Sequence, residues 1–415
     1  MVTEVMRVLS VASEPPYPPR SGGQVRAFQL LDRLRRLCNV TLLSFFRGEA
    51  ERAALEELAT KGWQVRMIPF ERAIANQPAS WRAAERSFRA LFGRLPAGVV
   101  HWDQCAMRSA VQALATGADL VHFENSYLAP YAQTLPDHAA SVATALDIYA
   151  VTLARRREVT VNRLRRWRLA REAGRYGRYE STLTGRLDRL IVMSEADRRA
   201  LEPAGDSGRI VVVPNGVDTD AYRPEPLHGG GRRLLFVGSP GHPPNVEAAA
   251  WIVTELWPII RDRRPDATLT LLNMDVPAVR RLSAGAPDVE ITGPVTDVVP
   301  YYRRADLCLA PIRSGSGTRL KILEAMALGV PVVSTSVGAE GLDVTPNVDI
   351  TIADTANGFA SLVVELLQDA GRRAAIAAAA RHTVVERYDW NRIAERWVAV
   401  CSETVSQHRA SGMPQ

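Results

Sequence analysis

Short apolar, β-branched runs alternate with segments of helical periodicity along most of the chain. In the first half, the runs predicted to be strands are 6–13, 39–46, 63–70, 119–126, 141–148, 189–194 and 209–216. In the second half they are 234–239, 268–274, 289–295, 307–312, 331–335 and 349–354. Helical segments separate most of these runs, as parallel pairing requires. The pattern therefore predicts an α/β fold with two doubly wound parallel sheets.

A Pro/Gly-rich stretch at 212–233 separates the two sets of strands and is typical of a linker between domains. A length of 415 residues also favours two cores over one. We expect an N-terminal domain at 1–214, a C-terminal domain at 215–387 and a final segment at 388–415. Ligands of open parallel sheets bind beyond the carboxyl ends of the strands, so the expected site is the cleft between the two domains.

The composition, with 47% hydrophobic and 23% charged residues, is that of a soluble globular protein. No apolar run reaches the roughly 20 residues that a membrane span needs, and the first ten residues lack the apolar segment of a signal peptide. The four cysteines form no CxxC pair, which argues against a metal knuckle or a disulfide framework. These features favour the reducing cytoplasm.

The net charge of +6 is concentrated in segment 153–178, which contains ten arginines and two glutamates. Such a surface can attract nucleic acid, an anionic membrane or a phosphorylated substrate. The absence of a zinc-finger or RNP signature argues against sequence-specific binding of nucleic acid. We expect the segment to hold an anionic membrane or a phosphate-bearing acceptor. The alternative is a solvated helix that packs Leu164, Trp167 and Leu169 inward.

One predicted helix, at 317–328, is apolar over most of its surface and ends at Gly329, a residue typical of a C-terminal cap. Its remaining polar strip consists of Gly317, Thr318, Lys321 and Glu324. The helix N-terminus favours a phosphate, and Arg319 and Lys321 add positive charge there. Glu324 lies roughly 8 Å further along the axis, where its carboxylate can accept both ribose hydroxyl protons. The strip predicts a nucleoside diphosphate site; the alternative is a capped core helix.

Four segments resemble the C-terminal half of retaining GT-B glycosyltransferases of family 4: PNGVD (214–218), FVGSPGHPPNVEAAAWIVTELWPII (236–260), ITGPVTDVVPYYRRADLCLAPI (291–312) and GSGTRLKILEAMALGVPVVSTSVGAEGL (315–342). The resemblance is strong over 190–390 and looser over 1–190. It implies two Rossmann-like domains that face a central cleft, and a nucleotide-sugar donor held mainly by the second domain. It further implies no cofactor, no metal ion and a final helix that crosses back to the first domain.

The resemblance also implies which residues bind the donor. They are Gly22, Gly23, Gly238, Ser239, Asn245, Gly293, Val295, Ser316, Gly317, Thr318, Arg319, Leu320, Lys321 and Glu324. Glu324 matches the second glutamate of the E-x7-E motif, which binds ribose, and the turn at 317–320 matches the diphosphate cradle. The catalytic candidates are His122, Arg319 and Lys321.

Three features depart from the family's pattern. Ser316 stands where the first glutamate of E-x7-E usually touches the donor sugar. The usual Arg and Lys after the first strand of the C-terminal domain are absent, and Arg319 and Lys321 are expected to replace their charge. Leu146 stands where a histidine is expected, and His122 is either a partial substitute or a structural histidine.

The function expected from these features is metal-independent, retaining transfer of a sugar from a nucleoside diphosphate sugar to an acceptor hydroxyl. The acceptor is a small molecule, a glycan or a lipid-linked molecule, and no nucleic-acid partner is expected. We expect a cytoplasmic protein with peripheral contact to the inner face of the membrane. The alternatives are a nucleotide-sugar epimerase, a donor-binding protein with little transferase activity, and a membrane or nucleic-acid module that uses only the arginine-rich segment.

Overall fold

The computed structural model describes residues 5–70, 93–158, 160–201, 208–225, 230–239, 241–314 and 319–411. Its contacts divide the chain into two compact units. Unit 1 comprises Met1–Pro214 and Asn391–Gln415, and unit 2 comprises Asn215–Trp390. No helix in the described part of the chain is long and apolar enough to cross a membrane.

Unit 1 is built on a parallel sheet. Its strands are β1 Arg7–Ala12, β2 Asn39–Phe46, β3 Gln64–Pro69, β4 Leu120–Phe123, β5 Ala140–Ala145, β6 Arg189–Val192 and β7 Ile210–Val212. They pair in parallel in the order β3-β2-β1-β4-β5-β6-β7. Every residue of β4 and β5 is buried, because helices cover both faces of the sheet. Each strand overlaps one of the predicted runs, so the prediction of this sheet is confirmed.

The helices of unit 1 connect these strands. They are α1 Gly22–Leu34, α2 Glu49–Thr60, α3 Ala97–Trp102, α4 Cys105–Ala115, α5 Tyr149–Glu158, α6 Arg163–Glu180 and α7 Glu195–Leu201, with 3₁₀ segments at Ser126–Thr134 and Leu183–Gly185. In α6, Leu164 and Trp167 are 58% and 57% exposed. The alternative in which these two side chains pack inward is therefore wrong.

Unit 2 repeats the plan with a six-stranded parallel sheet in the described residues. Its strands are β8 Arg233–Val237, β9 Thr268–Leu272, β10 Val289–Ile291, β11 Leu307–Ala310, β12 Val332–Ser334 and β13 Thr351–Ile352, in the order β10-β9-β8-β11-β12-β13. The order reverses between β8 and β11. At such a switch point the connections leave in opposite directions and open a crevice that can take a ligand.

The helices of unit 2 cover both faces of its sheet. They are α8 Pro243–Trp251, α9 Trp257–Arg263, α10 Pro277–Ser283, α11 Val299–Arg304, α12 Leu320–Ala327, α13 Ser336–Ala339, α14 Ala356–Gln368 and α15 Ala370–Arg387, with a π-helical turn at Ile252–Leu256. One apolar cluster includes Phe236 and Trp251, and a second includes Tyr302 and Met326. The predicted α/β fold with two parallel sheets is thus confirmed.

The final helix, α16 Trp390–Ser411, packs on unit 1 from Asn391 onward. The fully buried ring of Trp397 meets the ring of His122 edge-on, with centroids 5.2 Å apart. Further along the helix, the Arg409 guanidinium lies 2.8 Å from the Asp119 carboxylate. The helix is therefore fixed to the sheet by an apolar contact and by an ion pair.

Candidate functional site

Helix α12 follows β11 and so begins at the carboxyl edge of the unit 2 sheet, beside the switch point. The side chains of Ile322, Leu323 and Met326 are fully buried, which fixes the rotation of the helix. The helix ends as predicted: Gly329 adopts a φ of 72°, and the N–H of Val330 donates to the carbonyl of Ala325 at 2.8 Å. This anchoring leaves the strip of Lys321 and Glu324 only partly buried.

Lys321 joins α12 to α8 and β8. Its ammonium donates to the side-chain oxygen of Asn245 at 2.7 Å and lies 4.5 Å from the ring centroid of Phe236. Asn245 in turn donates to the carbonyl of Ser239 at 3.3 Å. Burial, with a smaller effect of Arg319, lowers the pKa of Lys321 to about 7. A partly desolvated ammonium of this kind gains from a nearby anion.

Glu324 lies one turn beyond Lys321 on the same strip. Its carboxylate accepts a hydrogen bond of 3.1 Å from the hydroxyl of Tyr302, a fully buried side chain of α11. Burial raises the pKa of Glu324, although Tyr302 and Lys321 act in the opposite direction. A carboxylate that has lost part of its water and has one side-chain donor can accept further hydroxyl donors, as a ribose would provide.

Arg319 stands at the N-cap position of α12 and is 8% exposed, with its guanidinium 3.4 Å from the carbonyl of Ser314. The hydroxyl of Ser314 donates to the Glu247 carboxylate at 2.8 Å, and the guanidinium of Arg313 lies 3.6 Å from the same carboxylate. Glu247 is not among the residues predicted from the sequence. A polar residue at the sheet-edge end of α8, two positions after Asn245, could have indicated it.

Two loops that follow strands of unit 2 carry the other predicted donor-binding residues. A Cβ added to Gly238 would lie 2.0 Å from the sulfur of Met274, so no larger residue fits there. The side-chain oxygen of Asn273 accepts from the backbone N–H of Val295 at 2.9 Å and so fixes the end of the segment 293–295. Asn273 itself has a φ of 59°, and it too was missed, although an Asn directly after β9 tolerates that conformation.

Gly22 and Gly23 open α1 behind Ser21, which forms a capping box with Gln24. A Cβ added to Gly23 would lie 3.3 Å from the side chain of Leu146, the residue that follows β5. Their role toward a donor or an acceptor stays a prediction. Ser316, Gly317 and Thr318 lie outside the described residues, as does the predicted start of α12 at residue 317.

His122 is fully buried in β4. One ring nitrogen lies 2.7 Å from the hydroxyl of Thr144, and the other lies 3.3 Å from the Glu124 carboxylate. Burial by itself would raise the pKa of Glu124, but His122 and the hydroxyl of Ser10 hold it below its usual value. With Trp397 against its ring, His122 has the surroundings of a structural histidine, the second of the two roles that the sequence left open.

His122→Ala should lower the free energy of unfolding by about 2–4 kcal/mol, because it removes a buried hydrogen bond and the partner of a buried carboxylate. Urea unfolding followed by circular dichroism measures the change, and His138→Ala at an exposed position is the matched control. If the unfolding midpoint stays unchanged while turnover is lost, His122 acts in catalysis instead.

No group of three or more His, Cys, Asp or Glu side chains gathers as metal ligands do, within the residues described above. The polar side chains at the switch point of unit 2 include the ammonium of Lys321, the carboxylate of Glu324, the amide of Asn245 and the hydroxyl of Tyr302. This arrangement suits a ligand with both an anionic group and hydroxyl groups.

The two parallel-sheet units and the family models that match them place the chain in the class of GT-B glycosyltransferases, as the sequence resemblance predicted. Residues 231–369 match the family model described as Glycosyl transferases group 1, and residues 20–221 match that described as Glycosyltransferase Family 4. The chain belongs to the family 4, group 1 glycosyltransferases.

Curated relatives include a phosphatidyl-myo-inositol mannosyltransferase of Mycolicibacterium smegmatis, 30% identical over 231 residues, which are 53% of this chain and 58% of that protein. A D-inositol 3-phosphate glycosyltransferase of Thermobispora bispora is 31% identical over 257 residues, covering 54% of this chain and 58% of that protein. The chain thus spans little more than half the length of these relatives.

Solved structures extend the likeness over nearly the whole chain. HepE of Anabaena in complex with UDP matches with a TM-score of 0.67 at 17% identity, over 96% of this chain and 100% of that one. Sucrose-phosphate synthase of Thermosynechococcus elongatus matches with a TM-score of 0.70 at 18% identity, over 97% and 100%. At these identities the likeness concerns the fold.

Proposed function

We propose that this chain transfers a sugar from a nucleoside diphosphate sugar to an acceptor hydroxyl, with retention of anomeric configuration and without a metal ion. The observation that carries the proposal is the strip of α12, on which Lys321 and Glu324 stand one turn apart. Partners from α8 and α11, Asn245 and Tyr302, hold the two side chains. A cation and a hydroxyl acceptor at this spacing suit the diphosphate and the ribose of one nucleotide.

The chemistry assigned to these residues is electrostatic. Departure of the nucleoside diphosphate leaves negative charge on its terminal phosphate, and Lys321, Arg319 and the N-terminus of α12 stabilise that charge. The acceptor hydroxyl attacks the face that the diphosphate leaves and gives its proton to the departing phosphate oxygen, so that no protein nucleophile is needed. The chain therefore acts by positioning the two substrates and stabilising the leaving group.

Names of relatives support the class of donor and acceptor. One relative from Mycobacterium tuberculosis is named a GDP-mannose-dependent mannosyltransferase of a phosphatidylinositol monomannoside, and HepE was solved with UDP-glucose. Both donors are nucleoside diphosphate sugars. For this chain we propose a phosphate-bearing or lipid-linked acceptor, with peripheral membrane contact through the arginine-rich segment 153–178, whose ten arginines attract anions.

Sugar transfer by the full chain should continue in excess EDTA, because the proposed site uses Lys321, Arg319 and backbone N–H groups for positive charge. The measurement is a panel of UDP-, GDP-, ADP- and TDP-sugars with inositol phosphates and phosphatidylinositol as acceptors, analysed by mass spectrometry. Donors can be ranked beforehand by thermal shift, since a ligand at 100 times its Kd stabilises by about 2.7 kcal/mol.

Each other outcome of the panel points to a different function. Loss of transfer in EDTA with recovery in Mn²⁺ or Mg²⁺ contradicts the metal-independent mechanism. Donor binding without transfer or hydrolysis identifies a donor-binding protein, and a donor converted to its epimer identifies an epimerase. The anomeric configuration of the product, read by NMR, tests retention.

A further inference from the structure

Helices α5 and α6 form a hairpin whose base is anchored in unit 1. Near the end of α6, the Glu180 carboxylate accepts the N–H of Tyr149 at 2.8 Å, at the start of α5. The rings of Tyr149 and Tyr176 stack with centroids 4.8 Å apart. Because the start of one helix meets the end of the other, the pair is antiparallel. The end of α5 and the start of α6 therefore form the opposite end, which we call the hairpin tip, residues 156–158 and 160–168.

The hairpin tip exposes large apolar side chains. Val161 is 92% exposed, Leu164 58% and Trp167 57%. Leu164 and Trp167 are three residues apart in α6 and so share one face, and Val161 directly precedes the N-cap residue Asn162. Exposed apolar residues scattered singly need no explanation, but three within seven residues form a patch that water solvates poorly.

Arginines surround this apolar patch. At about 100° of rotation per residue, Arg163 and Arg168 flank the face of Leu164 and Trp167. The guanidinium of Arg171 lies 5.7 Å from the ring centroid of Trp167 on that same face. Arg163, Arg165, Arg166 and Arg168 form no ion pair with any residue that the structure describes. The tip thus combines apolar side chains with the positive charge of four arginines that have no ion-pair partner among the described residues.

We infer that the hairpin tip inserts Val161, Leu164 and Trp167 into the interface of an anionic membrane, with the flanking arginines at the lipid phosphates. Trp with aliphatic side chains on one face and Arg on the others is the composition of helices that lie in a membrane interface. A nucleic acid would neutralise the arginines but leave the apolar side chains in water. The inference deepens the proposed membrane contact and does not depend on sugar transfer.

Replacing all three apolar residues by serine should weaken binding of the full chain to anionic vesicles roughly 30-fold, since each loses burial of about half a side chain. Co-sedimentation with phosphatidylcholine vesicles, with and without phosphatidylglycerol, measures the binding. Leu282→Ser with Val348→Ser is the matched control, because these residues of unit 2 are 43% and 53% exposed. The control should bind like the unchanged chain.

Insertion of Trp167 is measured directly by quenching of its fluorescence with brominated lipids. We expect bromolipid to quench the unchanged chain, and Trp167→Phe to remove most of that quenching. Equal vesicle binding by the triple variant, or binding without quenching of Trp167, would overturn the inference. Salt-sensitive binding to RNA or to an acidic protein without vesicle binding would overturn it as well. The thermal shift caused by a nucleotide should be the same in the triple variant and in the unchanged chain. This measurement distinguishes a loss of membrane binding from a failure of the proposed sugar transfer.

Discussion

Glu324→Ala is expected to weaken the binding of a nucleoside diphosphate about 30- to 150-fold, because it removes charge-assisted hydrogen bonds of roughly 2–3 kcal/mol to the ribose hydroxyls. The fold should survive, since Tyr302 keeps a second acceptor, the carbonyl of Lys321 at 3.1 Å. Isothermal titration calorimetry measures the change in Kd. The exposed Glu255→Ala in the same unit is the matched control.

A deoxyribose analogue shows whether Glu324 acts on the ribose. The unchanged chain should lose affinity when the 2′-hydroxyl is removed from the nucleotide, whereas the alanine variant should lose little more, as a double-mutant cycle requires. Pyrophosphate should bind both proteins equally, because the diphosphate is assigned to Lys321. An equal loss for pyrophosphate and for the nucleotide would remove Glu324 from the ribose site.

The local pattern of apolar and polar residues was sufficient to predict the fold and the part of the candidate site that lies on α12. Parallel strands buried on both faces appear as continuous apolar runs, so the strands of both sheets could be located from sequence. Helical periodicity placed Lys321 and Glu324 on one strip of α12, because five buried apolar residues fix the rotation of that helix. These features depend on residues close together in the chain.

The rest of the site depends on residues far apart in the chain. Asn245 meets Lys321 across 76 positions, and Tyr302 meets Glu324 across 22. Neither pairing has a periodic signal. His122 shows the same limit, because a polar residue in a buried strand has the same sequence pattern whether it faces a ligand or, as here, Thr144 and Trp397.

Helix α6 shows a second reason why the sequence pattern does not predict all of the structure. Periodicity indicated an apolar face with Leu164 and Trp167, and one of the two interpretations of the segment placed both side chains inward. The last turns of α6 do pack on the body of unit 1 through Tyr176 and Tyr179, whereas its first turns lie at the hairpin tip. A single amphipathic pattern therefore runs through two different surroundings, and only the tertiary structure separates them.

Donor binding should weaken by roughly 10- to 100-fold between about pH 6 and about pH 9, because Lys321 loses its charge in the free protein over this range. Burial lowers the pKa of Lys321 to about 7, so the ammonium is present below that pH and scarce above it. A donor that needs the ammonium must then bind together with a proton. Calorimetry in buffers of different ionisation enthalpy should show proton uptake near pH 8. A nucleotide sugar is the right ligand, since its diphosphate lacks the terminal phosphate group that titrates near pH 6.

The same shift in the pKa of Lys321 makes the free energy of unfolding depend on pH. Between about pH 7 and the usual lysine pKa of about 10.4, the unfolded chain holds a proton at residue 321 that the folded chain lacks. This lysine therefore adds to stability as pH rises through that window, while donor binding becomes weaker. The opposite trends in stability and affinity distinguish titration of Lys321 from general alkaline unfolding.

Substitution of each lysine in turn shows which of them causes the pH dependence of donor binding. Lys61 and Lys321 are the two lysines of the chain, and Lys61 is exposed. Lys321→Arg should make donor affinity nearly independent of pH, because arginine stays charged, and Lys61→Arg should leave the profile unchanged. Reductive methylation with ¹³C gives one NMR signal for each lysine, so the titration of Lys321 can be followed directly. A Lys321 signal that titrates near the usual lysine pKa, or a donor Kd that does not change with pH, would show that the ammonium is solvated and does not control donor binding.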